Sequence, residues 1–448
     1  MEKRWAIGLG LFLGALFGAG APGSASAQVT IDGAPDSTQI IVDGSGDTFV
    51  GVWVHAPDAP RRGDRPPMAL SLVIDTSGSM SGEKIANARM AAQSVLETLQ
   101  EGDIVSIYGF SDAVTEYASP TVIGRGSRQS LMAAVQGLEA TGSTNLYDGL
   151  RAGIARVGQA PASHTARRVI VLSDGQANVG PSDPGSLGNV AAQGSEYGLQ
   201  VTAIGVGLDY DERTLGAIAV RSSGRLYHLA QPSQMASILR EEIGLLASTV
   251  ASDVIIEITP SPGVVIIEGL TMGAEVQNGL LRLPVGSLYS GQERELLFKA
   301  RVDTHQLGNR PLATARLVYR DATGAHASRS ATAPIAYTVT NDRRAASTSR
   351  QPRVAAMVAT YDASQAQMRA ADALNRGDTQ AATVQLARAE DELRTAAAAA
   401  PAAERRVLEE RANRVGSIRS RAAGAASPAA ARGAALESYD SAYDAAGY

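Results

Sequence analysis

An apolar run ends in a carboxylate at Ser71-Leu-Val-Ile-Asp75, and Thr76-Ser77-Gly78-Ser79-Met80 then places two hydroxyls at alternate positions ahead of a helical pattern. Two other segments are built alike. Gly142-Ser143-Thr144-Asn145 precedes a second helical pattern, and Val169-Ile-Val-Leu-Ser173-Asp174-Gly175 closes another apolar run. If the runs are parallel strands, these ends share one sheet edge, where open α/β sheets bind ligands. The hydroxyls of Ser77, Ser79 and Thr144 would then meet the carboxylates of Asp75 and Asp174. Every donor is oxygen, which suits a hard divalent cation such as Mg²⁺, Mn²⁺ or Ca²⁺. The chain has no cysteine, and its five histidines (55, 164, 228, 305 and 326) are scattered, so zinc fits poorly. Neutral hydroxyls in direct contact would leave the ion electrophilic, with an open position for an incoming carboxylate. That is a binding chemistry and breaks no bond.

Asp-Thr-Ser-Gly-Ser alone could be a turn and helix cap, because Asp and Ser are favoured capping residues. Three segments of the right order and residue types are far more specific. Asp112, in a Phe-Ser-Asp turn, and Asp148, in the first turn of a helix, suit turn and helix-dipole roles better than ligation. Asp43-Gly-Ser-Gly-Asp47 lacks the downstream glutamate of a calcium loop and reads as a hairpin turn. Arg-Gly-Asp occurs at 62–64 and 376–378, as loop composition in so arginine-rich a chain accounts for. There is no Gly-x-x-x-x-Gly-Lys loop, no Gly-x-Ser-x-Gly elbow and no histidine with an evident nucleophile partner. No enzyme is expected. A metal-dependent hydrolase would need a positioned base, and none is apparent.

The elements that must position these residues follow from hydrophobic periodicity. The chain has 448 residues, enough for several domains, and 44% hydrophobic residues, enough to bury their cores. Lys+Arg 40 against Asp+Glu 45 gives a net charge of −5 and no electrostatic ground for binding nucleic acid. Only Lys3, Lys84 and Lys299 are lysines, as in a composition biased towards arginine. Residues 1–27 carry a short basic start, an apolar stretch and Ala25-Ser26-Ala27, the pattern of a cleaved signal peptide. Export to the periplasm, cell surface or medium is therefore expected, with no transmembrane segment after cleavage. Residues 28–66 alternate like strands. From 67 to 248 strands and helices alternate, as in a doubly wound, mostly parallel α/β sheet. Residues 249–341 return to short strands, the pattern of a β-sandwich. The early strands need partners, so the α/β domain is expected to be inserted into that sandwich. Residues 349–421 read as an alanine-rich helical hairpin, and 422–448 as a disordered tail. The helical region is expected to be dispensable.

At the metal motif the sequence resembles a von Willebrand factor type A domain. Asp-x-Ser-x-Ser, then Thr, then Asp is the pattern of its metal-ion-dependent adhesion site, complete here as Asp75, Ser77, Ser79, Thr144 and Asp174. The resemblance covers about 67–248. It implies that the three hydroxyls hold the metal directly and the aspartates mostly through water. The strand layout, with Gly-Gln-Glu-Arg-Glu at 291–295, is similar to bacterial secreted members of the superfamily. The expected function is capture of an acidic residue of a protein partner through the cation. The competing expectation is a cell-envelope scaffold that binds through the sandwich or helices, with the metal site structural.

Overall fold

The structure is a computed structural model that describes residues 28–58, 65, 67–322 and 327–448. The expected signal peptide and the first Arg-Gly-Asp lie outside them. Three strands come first: β1 (Thr30–Pro35), β2 (Gln39–Ile41) and β3 (Asp47–His55). The α/β part runs β4 (Met68–Asp75), α1 (Glu83–Thr98), β5 (Ile104–Phe110), β6 (Val114–Val122), α2 (Ser127–Gln136) and α3 (Leu146–Gly158). It continues with β7 (Ala166–Ser173), α4 (Pro184–Ser195), β8 (Leu199–Val206), α5 (Glu212–Arg221), β9 (Arg225–Leu229) and α6 (Met235–Ala247). Seven strands follow: β10 (Thr249–Pro260), β11 (Val265–Gly269), β12 (Glu275–Gln277), β13 (Leu280–Tyr289), β14 (Glu293–Arg301), β15 (Gly308–Asp321) and β16 (Ser328–Thr340). The helices α7 (Arg343–Thr348), α8 (Pro352–Asn375), α9 (Thr379–Ala399), α10 (Ala402–Ala423) and α11 (Pro428–Ala445) complete the order.

The α/β sheet has the order β6-β5-β4-β7-β8-β9, parallel except for β6. Both β4 and β8 are buried along their whole length, because α1, α2 and α6 cover one face and α3, α4 and α5 the other. Continuous apolar runs are what such two-sided burial requires. The chain leaves β4 towards β5 on one side and reaches β7 on the other, so the crevice at the carboxyl end of β4 is a topological switch point. Glycines let α3 approach the sheet closely. A Cβ at Gly153 would stand 2.6 Å from Val73, and one at Gly149 2.8 Å from Phe110.

The other strands form a four-stranded sheet, β1-β3-β14-β11, and a six-stranded sheet, β12-β13-β10-β15-β16-β2. Val50, Val52 and Val54 of β3 share one core with Phe298 of β14, Ile256 of β10 and Leu317 of β15. Along β15 and β16 buried and exposed residues alternate, which turns one face of each strand inward. Both links to the α/β part are held at one turn: Gly291 N donates to Pro57 O (3.2 Å) and Ser290 N to Ser248 O (2.9 Å). At the junction behind it, Arg168 on β7 and Glu242 on α6 are both fully buried, 3.3 Å apart.

Three expectations need correction. The segment 43–47 is not a hairpin turn. Its flanking strands belong to different sheets, β2 running parallel to β16 while β3 lies between β1 and β14. Asp43 has φ 56°, and the loop is tied to the 303–305 turn, with Asp43 N on Thr304 O (3.0 Å) and Thr304 Oγ1 on Gly44 O (3.0 Å). The tail is not disordered, because α11 occupies most of it. Ser427 caps its first turn, Pro428 opens it, and Ala431, Ala434, Ala435 and Ala442 let it pack closely on its neighbours. The helical region is not a single hairpin either. Helices α8 to α11 pack in sequence and α11 returns against α8, around one shared core. The second Arg-Gly-Asp forms the turn between α8 and α9, with Gly377 at φ 81° and Asp378 capping α9.

Candidate metal site

Asp75 ends β4, Ser77 and Ser79 lie in the loop that follows it, Asp174 directly follows β7, and Thr144 lies just before α3. Backbone hydrogen bonds join those loops. Gly78 N donates to Gly142 O (3.0 Å), Thr141 N to Thr76 O (2.7 Å) and Asn178 N to Thr144 O (3.0 Å). Thr144 N in turn donates to Asn178 Oδ1 (2.8 Å). The site is thus fixed by backbone pairing between three segments remote in sequence.

The carboxylate of Asp75 is fully buried. Its Oδ1 accepts Ser77 N (2.9 Å) and its Oδ2 accepts the Ser173 hydroxyl (2.7 Å). Ser77 Oγ and Ser79 Oγ are 3.0 Å apart, and Ser79 Oγ donates to Asp174 Oδ1 (2.7 Å). Asp174 is also fully buried, and its Oδ2 pairs with Lys84 Nζ. A Cβ on Gly175 would stand 3.6 Å from Ser79 Oγ and 3.9 Å from Thr144 Oγ1, which places both hydroxyls beside Gly175. Asp75, Ser77, Thr144 and Asp174 are buried while Ser79 is exposed, so the cluster opens to solvent on one side only.

Burial pushes the Asp75 carboxyl above the ordinary carboxylate range, against the hydrogen bonds from Ser173 and Ser77, and the nearby Asp174 pushes it further up. A cation beside the Asp75 carboxylate would relieve that penalty. Among the described residues no group of three or more His, Cys, Asp or Glu is placed to hold a metal, so an ion here must take hydroxyl oxygens as well. The residues fit a hard divalent cation on these grounds: all donors are oxygen, they converge, and a cationic ammonium is already drawn to one carboxylate.

Asp112 and Asp148 stay outside the cluster. Asp112 Oδ1 accepts Ser143 N (3.0 Å), and Asp148 is held by its cap partner Asn145 (Nδ2 to Oδ2, 2.8 Å). Sequence reasoning missed Ser173 and Lys84. The signal for Ser173 was its place at a strand end directly before Asp174. For Lys84 it was a lysine in the first turn of the helix that follows the serines.

Residues 70–241 match the family model of the von Willebrand factor type A domain, so this part of the chain is a domain of that class. The chain is 26% identical over 283 residues to the uncharacterized protein sll0103 of Synechocystis, covering 61% of this chain and 65% of that one. It is 34% identical over 171 residues to the human inter-alpha-trypsin inhibitor heavy chain H3, covering 36% of this chain and 19% of that one. It therefore spans less than two thirds of the curated relatives it matches. Among solved structures, the von Willebrand factor type A protein from Catenulispora acidiphila superposes with a TM-score of 0.72 at 20% identity, covering 88% of this chain and 91% of that one. At that identity the likeness is one of fold, and it takes in the sheets and helices beyond the α/β domain. Domains of this class generally serve as protein-interaction or adhesion modules. Among the described residues no helix is long and apolar enough to cross a membrane.

Proposed function

We propose that the protein is an exported, metal-dependent binding module in which the α/β domain, inserted into a β-sandwich, captures an acidic residue of a protein partner through a divalent cation. Mg²⁺ is the ion the donor set suits best, with Mn²⁺ and Ca²⁺ as alternatives. The observation that carries the reading is the convergence of Asp75, Ser77, Ser79 and Asp174 in one hydrogen-bonded chain, buried except at Ser79. When bound, the cation supplies an electrophile for an anionic ligand. Ser77, Ser79 and Thr144 hold it by hydroxyls, and Asp75 and Asp174 balance its charge. Ser173 and the backbone N–H of Ser77 keep the Asp75 carboxylate aimed at the cluster. A partner carboxylate is favoured over a neutral oxygen because charge-assisted contacts are the stronger kind. The site is read as one that binds without catalysis.

The test is calorimetric titration of Mg²⁺ into the wild type and Asp75→Ala, followed by capture of envelope proteins with and without EDTA. The expected result is one bound ion in the wild type, none in Asp75→Ala, and partner capture that needs both the ion and Thr144. Equal capture by Thr144→Ala in EDTA would move the interaction to the sandwich or the helices.

A further inference from the structure

We propose that Lys84 is a built-in counter-cation of Asp174 that competes with the divalent ion for this carboxylate, so that the ion binds by displacing the lysine. This rests on reading the strand-end cluster as a cation site.

Both oxygens of Asp174 are engaged. Ser79 Oγ donates to Oδ1 (2.7 Å), and the Lys84 ammonium pairs with Oδ2. The Asp174 side chain has no exposure and that of Lys84 has 26%. A buried carboxylate must be paired to remain charged, so Lys84 supports the domain when no metal is bound. An ion that takes Ser77, Ser79 and Asp174 must approach the same carboxylate. The ammonium beside it then repels the ion at short range in a poorly screened setting.

The lysine has a way out. It stands in the first turn of α1, and its stem passes the loop after β8, where Gly207 has φ +79° and a built Cβ would lie 4.0 Å from Lys84 Cε. Its partial exposure lets the ammonium swing to water without disturbing α1.

The residue type fits the same role. The chain uses arginine for nearly all its basic positions, and Lys84 is one of three lysines. A guanidinium would grip the carboxylate through a planar fork of donors, whereas an ammonium is a compact charge on a flexible stem that can leave. Composition therefore argues against a lysine arising here from general usage.

The experiment is Mg²⁺ calorimetry on the full chain as wild type, Lys84→Met, Lys84→Gln and Lys84→Met/Asp75→Ala, with thermal melting of each in EDTA and in saturating Mg²⁺. Removing the competitor should tighten Mg²⁺ binding about ten-fold or more in both single variants. In EDTA the single variants should melt below the wild type, because Asp174 has lost its partner, and in Mg²⁺ the gap should close. The gap in melting serves as a readout independent of affinity. Equal or weaker Mg²⁺ binding by both single variants would overturn the proposal and leave the metal site standing. Absence of Mg²⁺ binding in every protein, or undiminished binding by the double variant, would overturn the site and the proposal together.

Discussion

Glu242→Gln should destabilise the junction between the α/β domain and the sheets by about 3–5 kcal/mol, the usual cost of leaving one member of a buried ion pair alone. Arg168 and Glu242 both have no exposure. Their 3.3 Å approach is off-line, since Arg168 Nε and Nη1 make no hydrogen bond, so the contact is a charge pairing more than a directed bond. Arg168 otherwise has the hydroxyl of Tyr289, which reaches it from β13. Glu242 keeps two donors of its own, Thr202 Oγ1 (2.6 Å) and the Tyr227 hydroxyl (3.1 Å). The two losses therefore differ. Glu242→Gln leaves a guanidinium that cannot shed its charge, whereas in Arg168→Met the carboxylate keeps those donors and the nearby charge of Arg225. Arg168→Met should therefore cost less than Glu242→Gln, by about 1 kcal/mol or more. Urea unfolding of the wild type and both variants at pH 7 measures this. An Arg168→Met loss equal to or larger than that of Glu242→Gln would refute the reasoning.

Other outcomes follow from the same geometry. Truncation after residue 424 should lower the melting temperature and raise dye binding to apolar surface, because α11 places Leu436 in the α/β core and Arg432 on Leu208 O (2.9 Å) and Tyr210 O (2.7 Å). Gly149→Ala should cost about 1–3 kcal/mol by overpacking, since the new Cβ would meet Phe110 at 2.8 Å; its Mg²⁺ affinity, read by calorimetry, should also fall because α3 carries the Thr144 loop. Burial, with Arg432 adding repulsion, holds His228 down to about 4 from 6.5. The unfolded chain thus takes up the proton first as pH falls through 6.5, and stability is lost towards pH 4. His228→Gln should remove about 2 kcal/mol of that loss, allowing for partial exposure, as melting at pH 7 and pH 4.5 would register.

The sequence carried the α/β part well, for a physical reason. Strands covered on both faces must be apolar throughout, so 68–74 and 169–172 declare themselves, and a carboxylate at such an end has little structural excuse. Lys84 was hidden because a lysine early in a helix has no periodic signature, and its partner lies 90 residues away. Helix α11 was hidden by composition. Alanine, glycine and serine read as disorder when burial is judged by hydrophobicity, yet small residues are what a helix needs to lie close against two neighbours. The loop at 43–47 misled for a third reason. Turn residues mark where a chain bends, and they do not say which sheet the next strand will join.

The turn at 290–291 receives both ends of the α/β domain, through Pro57 O and Ser248 O. A pull along the chain therefore enters and leaves that domain at nearly one point. Tension between residue 28 and residue 340 would meet β1 against β3 and β16 beside β2 first, and only then β3 against β14, which would open from its Asp47–Arg301 end towards His55–Glu293. The strand-end cluster would carry no load until that pairing fails. A chain held at those two points could thus be stretched while the loops that bear Asp75, Thr144 and Asp174 keep their shape.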